Sequence, residues 1–170
     1  MLESIPDELY IEVTNRCNSR CETCIRTFGP LEEQRDLTVD EFRRLVDQAP
    51  KLRRVTLHGV GEPLLNRDLS EMVAYLKQRN DAPHALFNSN AILLSAGMQE
   101  ELLDSDLDEF RVSIDAAHPE LYARIRGVDA FAKATGNVRE FAERIGRAGQ
   151  GPRLSFWFTA MRENLADLPE

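Results

Sequence analysis

A chain of 170 residues that is 42% hydrophobic and 29% charged has the make-up of one globular domain, large enough to bury most of its apolar surface in a single core. Its 21 basic against 29 acidic residues give a formal charge of -8, with no window of unopposed lysine and arginine, which excludes a phosphate-tracking surface and nucleic acid as a partner. No apolar run approaches the roughly 20 residues that span a bilayer, and "MLESIPDELY" lacks a signal peptide's basic start and apolar core, so a cytoplasmic protein with no membrane partner is expected.

In chain order, "ELYIEV" (8–13) reads as a strand and "TVDEFRRLVDQA" (38–49) as a helix, with Thr38 as N-cap and Glu41 at the third helical position. "LRRVTLHG" (52–59) is a second strand. "NRDLSEMVAYLKQRN" (66–80) is a helix with Leu69, Met72, Val73 and Leu76 on one face. "HALFNSN" (84–90) is a third strand and "SAGMQEELLDS" (95–105) a third helix. After the fourth strand, "EFRVSID" (109–115), helix follows in two pieces, "HPELYARI" (118–125) and "AFAKATGNVREFAERIGRAG" (130–149), parted by Gly127. "PRLSFWFTAM" (152–161) is a fifth strand, with Phe156 and Phe158 on one face and Trp157 on the other. "NLADLPE" (164–170) begins another helix.

Five strand–helix units in succession imply an α/β fold with a parallel sheet, because parallel strands need such long crossovers. A complete eight-unit barrel takes about 250 residues. A partial, TIM-like (β/α) barrel is therefore expected, one core domain over residues 1–170 that is cut short at its C-terminus. In such sheets ligands sit at the carboxyl ends of the strands. The segments there are "TNRCNSRCETC", "HGVGEP", "NSN", "SIDAAH" and "TAMREN", rich in glycine and polar residues, and they should converge on one site.

All three cysteines, Cys17, Cys21 and Cys24, fall in one eight-residue window with C-x3-C-x2-C spacing. An odd number of clustered thiols in a reducing compartment argues for metal or redox chemistry rather than a disulfide framework. A structural zinc wants four protein ligands and would need a fourth from elsewhere, such as His58. An iron–sulfur cluster can use three thiolates and leave one iron open for a ligand. A thioredoxin-like pair of Cys21 and Cys24 leaves Cys17 without a purpose. Cysteines that merely fill a core are poorly matched by the polar neighbours Asn15, Arg16, Asn18, Ser19 and Arg20.

With the motifs that follow it, "CNSRCETC" resembles the cluster loop of the radical S-adenosylmethionine (radical SAM) superfamily. "HGVGEPLLNRDL" resembles that superfamily's glycine–glutamate motif after the second strand, and "FNSN" and "RVSIDAAHPELYARIRG" its third- and fourth-strand motifs. The style of "GEPLLNRDL" and "SIDAAHPELYARIRG" is similar to members carrying an auxiliary iron–sulfur (SPASM-type) domain at the C-terminus. The resemblance implies that Cys17, Cys21 and Cys24 hold a 4Fe-4S cluster. S-adenosylmethionine would be cleaved reductively to a 5'-deoxyadenosyl radical, which abstracts hydrogen from a peptide or small-metabolite substrate. A reductant such as flavodoxin or ferredoxin would supply the electron. Gly59, Gly61, Glu62 and Pro63 would meet the cofactor's methionine end, with Gly61 and Glu62 at its amino group. Asn88, Asn90, Ser113 and Asp115 would line the pocket, with Ser113 and Asp115 toward the ribose hydroxyls and the methionine end, and Arg126 or Arg124 would face the carboxylate. A zinc- or cluster-stabilised binding module without catalysis is the alternative.

Three positions depart from the family pattern. Thr23 stands where an aromatic residue usually precedes the third cysteine, Val60-Gly61 replaces a glycine pair with Gly59 one step earlier, and Ala91 follows Asn90 where glycine is common. The family core usually has six strands, and only five are legible here. His58 is given no catalytic role.

Overall fold

The structure is a computed structural model that describes residues 5–29 and 33–168. Five strands form one sheet in the order of the chain: β1 (Glu8–Tyr10), β2 (Arg54–Thr56), β3 (His84–Ser89), β4 (Glu109–Ser113) and β5 (Arg153–Trp157). Every neighbouring pair is parallel. Sequential order without a switch point means that each crossover returns on the same side, which is how a barrel wall is wound rather than a doubly wound sheet. The expected α/β, partial TIM-like architecture is what the chain adopts.

One helical layer covers the outer side. The helices are α1 (Ile25–Phe28), α2 (Val39–Val46), α3 (Leu69–Gln78), α4 (Ala96–Asp104), α5 (Pro119–Arg126) and α6 (Phe131–Ala148); α2, α3, α4 and α6 supply the outer core, while α1, a short turn after the last cysteine, buries no residue and α5 ends against the cysteine loop. Thr38 opens α2 through a reciprocal capping box, its hydroxyl accepting from the Glu41 N–H while the Glu41 carboxylate accepts from the Thr38 N–H at 2.9 Å. Ser95 caps α4 one way only, its hydroxyl accepting from the Met98 N–H at 3.4 Å. Leu69, Met72, Val73 and Leu76 recur at helical spacing on α3 and are completely buried. They pack with Phe42 and Val46 of α2 against the outward side chains Val55, Leu57, Ala85, Phe87, Phe110 and Val112.

The opposite, concave face carries Tyr10, Arg54, His58, Asn88, Arg111, Ser113 and Trp157, the alternate residues of the same strands. Arg111 lies over the Trp157 ring at 4.3 Å and pairs with Glu109, whose carboxyl is held down to about 2 by Arg111 and Arg153 despite its burial. Phe156 sits across from Val112 on the helical side yet is 64% exposed, because among the described residues no α-helix follows β5 to cover it.

The elements are shorter than the sequence suggests. β1 ends at Tyr10 rather than Val13, and α3 begins at Leu69 rather than Asn66. The cause is Asn66, a buried side chain whose amide donates to the carbonyls of Val13 and Leu37 at 2.8 and 2.9 Å and so belongs to the loop. In place of the helix read over residues 164–170, a single 3-10 turn spans Leu165–Asp167, and the last two residues of that segment lie outside the described residues.

Candidate active site

The cysteine loop leaves the end of β1 and is pinned at both ends by this chain's own groups. At its start, Thr14 bridges to Asp36, and Arg16 grips the same carboxylate with two nitrogens at 2.9 and 2.5 Å while reaching the Leu65 carbonyl at 2.9 Å. Asn15 and Arg35 exchange further bonds across the same gap. At its far end, the N–H groups of Arg20 and Glu22, one on each side of Cys21, donate to the carbonyls of Arg126 and Ile125 in the last turn of α5. The three thiols are half-buried between these anchors.

Two glycines let other backbone close on that loop. A Cβ on Gly61 would stand 1.9 Å from the Thr14 carbonyl oxygen and 2.8 Å from that of Arg16. Gly127, at φ 63°, lies in the left-handed region, and its Cβ would meet the Arg20 carbonyl oxygen at 2.3 Å. The loop is thus held between the turn after β2 and the end of α5. Gly59 is exposed beside the Glu12 side chain, whose carboxylate accepts from the Val60 N–H at 2.7 Å.

Glu62 is placed with its carboxylate turned inward. Fully buried, it accepts from the Leu64 N–H at 3.2 Å, the Ser89 hydroxyl at 2.7 Å and the Asn90 N–H at 2.8 Å, and it caps the 3-10 turn opened by Pro63. Burial pushes its carboxyl up, while these donors pull it down. Its role in this fold is to tie the turn after β2 to the end of β3. Glu62→Gln should therefore cost stability in the metal-free protein, because an amide NH2 would face one of those donors. The loss should be about 1–3 kcal/mol, read as a fall in melting temperature of about 2–4 °C per kcal/mol for a chain of this size.

Asn90 extends the same connection, its amide donating to Asn18 Oδ1 at 2.7 Å and Ser19 Oγ at 3.2 Å inside the cysteine loop. Ala91 follows at φ 58°, adopting glycine's conformation with a buried methyl group. Asn88 is half-buried on the concave face, and its Oδ1 has no partner among the described residues. Ser113 sits on that face across from Trp157.

Asp115 and Arg126 form a buried pair at 2.7 Å, and Asp115 also accepts from the Thr159 N–H at 2.8 Å. Arg126 lies beside Cys21, whose thiol burial pushes up and this guanidinium pulls down. Burial likewise raises Cys17. Arg124, the other arginine considered, stands on the surface with Glu163 at 2.9 Å. His58 is held below the usual imidazole range by burial and by Arg111, and its nearest ring is Tyr10 at 6.2 Å on the concave face.

The donor set suits an iron–sulfur cluster. Among the described residues no three Cys, His, Asp or Glu groups gather around one point as a single metal ion requires. Each thiolate of a cluster takes a different iron, so the thiols need only share the loop. On the same side of the fold, Tyr122 Oη and Arg126 Nε of α5 are buried without a partner among the described residues, as is Asn88 Oδ1 on the concave face. A pocket of about 380 Å³ opens beside Cys17, lined also by Ser19, Arg20, Arg26 and Thr27. Arg16, Asp36, Asn66 and Tyr122 were not marked out by the sequence. Arg16, Asn66 and Tyr122 stand inside stretches read as motif, "TNRCNSRCETC", "HGVGEPLLNRDL" and "RVSIDAAHPELYARIRG", but their polar atoms gave no separate signal.

Comparison with known proteins fits this arrangement. The chain is 29% identical over 164 residues to a probable GTP 3',8-cyclase of Methanocaldococcus jannaschii, covering 95% of this chain and 52% of the relative. It is also 29% identical over 168 residues to a PqqA peptide cyclase of Granulibacter bethesdensis, with 96% and 42% covered. The chain thus spans about half the length of the curated relatives it matches. The structure of Streptococcus suis SuiB bound to its precursor peptide SuiA superposes over 98% of this chain and 36% of that one, with a TM-score of 0.73 at 20% identity, a likeness of fold. The family model described as the Radical SAM superfamily matches residues 11–153. The chain belongs to the radical SAM superfamily, an enzyme family whose cofactors are a 4Fe-4S cluster and S-adenosylmethionine.

Proposed function

We propose that residues 1–170 form a radical SAM core domain in which Cys17, Cys21 and Cys24 hold the cluster and the strand ends beside them hold S-adenosylmethionine. The observation that carries this reading is the double clamp on the cysteine loop, with Gly61 pressed against its backbone at Thr14 and Arg16 and Gly127 at Arg20. The chemistry supplied by the bound pair is one-electron cleavage of S-adenosylmethionine to a 5'-deoxyadenosyl radical that abstracts hydrogen from substrate. This chain's residues bind, orient and exclude water. The backbone of residues 59–61, which Glu62 and Pro63 hold in place, offers a close approach to the methionine end, and Asn88 Oδ1 offers an unused acceptor. Asn90 keeps the loop in register with β3. Arg126, fixed by Asp115, presents buried positive charge next to Cys21, suited to a carboxylate. Ser113 lies within reach of the concave face.

The substrate is a peptide or small metabolite taken up on that concave face, where Arg111 and Trp157 form a stacked pair. The PqqA peptide cyclase relative and the SuiB fold support the peptide side of this choice, and the GTP 3',8-cyclase relative the small-molecule side. An external one-electron donor such as flavodoxin or ferredoxin supplies the electron. Anaerobically reconstituted, dithionite-reduced protein should convert S-adenosylmethionine to 5'-deoxyadenosine, measured by chromatography. A colourless protein carrying stoichiometric zinc and no such product would overturn the reading in favour of a non-catalytic module.

A further inference from the structure

We propose that the Tyr122 hydroxyl donates a hydrogen bond to the sulfur side of the cluster at Cys21 and thereby sets the potential at which the cluster accepts its electron. This rests on the assignment of Cys21 as a cluster ligand.

Tyr122 is completely buried, and its hydroxyl has no hydrogen-bond partner among the described residues. Its ring is well accommodated, edge-on to Phe131 at 5.5 Å and packed with Ile92, Ala116 and Ala134. A phenylalanine would fill that space equally well. An orphaned buried hydroxyl costs free energy, and buried polar groups in folded proteins nearly always have a partner. The hydroxyl therefore answers to something outside the polypeptide.

Its position names that partner. Tyr122 and Arg126 are four residues apart and share one face of α5. The carbonyls of Ile125 and Arg126 at the end of that helix hold the backbone on both sides of Cys21, one turn beyond Tyr122, so the helix that carries the hydroxyl also anchors that thiol's loop. Burial raises the phenol, the Arg126 guanidinium opposes that, and the Cys21 thiolate adds to the rise. The Arg126 guanidinium is committed to Asp115 through one terminal nitrogen, and its Nε is likewise without a partner among the described residues. Donors to cluster sulfurs stabilise the more negative, reduced form and raise the reduction potential. A hydroxyl in a dry pocket acts strongly because water does not compete with it. Tyr122 is a positioning residue in this sense: it touches neither substrate nor reacting carbon.

The test compares wild type with Tyr122→Phe in the full chain, without S-adenosylmethionine. Metal-free Tyr122→Phe should melt at or above the wild-type temperature, since the variant removes an unpaired group. Its iron content after reconstitution should equal wild type. In a potentiometric titration followed by electron paramagnetic resonance, the midpoint should move to a more negative value. At a fixed poise the ratio of reduced to oxidised cluster should fall about tenfold, equivalent to about 59 mV for one electron. An unchanged midpoint at full iron content overturns the proposal. So does an unchanged midpoint accompanied by weaker S-adenosylmethionine binding, which would assign the hydroxyl to that ligand. Absence of any cluster in wild type overturns the ligand assignment itself, a result that iron content separates from the other two.

Discussion

Cys17→Ala, Cys21→Ala and Cys24→Ala should each abolish stable iron binding. A cluster held by three thiolates from one loop keeps only two after any single replacement, and the 170 residues contain no fourth cysteine to stand in for the third. The three replacements differ in their surroundings. Cys17 adjoins the pocket beside Ser19, and Cys21 sits over α5 between the bonds from Arg20 and Glu22. Cys24 is the N-cap of α1 and makes no side-chain cap there, so its loss leaves that turn's hydrogen bonds intact. Because the thiols are half-buried and the loop is tied by backbone and by Arg16–Asp36, each variant should fold with little change in melting temperature before reconstitution. Iron and sulfide analysis with the visible absorption of reconstituted protein reads the outcome. Full iron content in any one variant would remove that cysteine from the ligand set.

Much of the site was legible because local chemistry announced it. Three thiols in eight residues have few uses, and the helix starts at Thr38 and Ser95 follow from capping rules that depend on a handful of adjacent residues. The face of α3 emerged from spacing alone. What escaped depends on distant partners. Glu62 reads as a carboxylate in a glycine-rich turn, and the donors within the chain that bond it, Ser89 and Asn90, arrive 27 and 28 residues later. Arg16 and Asp36 stand twenty residues apart in the sequence, and nothing local pairs them until the strand-end segment folds back at the Thr14–Asp36 bridge. Tyr122 stands unmarked within "HPELYARI", its ring is buried in the core, and only the unpaired hydroxyl distinguishes it. The short helix Ile25–Phe28 has no buried residue, so no hydrophobic period marks it.

Gly61→Ala should be among the most damaging single-methyl changes in the chain. The added carbon would stand 1.9 Å from the Thr14 carbonyl oxygen, a backbone atom with no side-chain freedom to yield, so the turn after β2 and the cysteine loop must separate. That separation strains the Glu62 N–H bond to the Arg16 carbonyl at 2.7 Å and the Arg16 contact with the Leu65 carbonyl. Overpacking together with an unpaired buried donor costs about 2–6 kcal/mol, a large share of the roughly 5–15 kcal/mol that stabilises a typical domain. The control is Gly136→Ala within α6, where a Cβ meets nothing within 4 Å. There the same methyl should stabilise by about 0.5–1 kcal/mol, since glycine is a poor residue in a helix interior. Urea unfolding of the two metal-free variants should move in opposite directions from wild type, and Gly61→Ala should also take up less iron, because the loop that presents Cys17, Cys21 and Cys24 is displaced. Wild-type stability in Gly61→Ala would mean that the turn and the loop are not in contact, and the clamp that supports the cluster assignment would be lost with it.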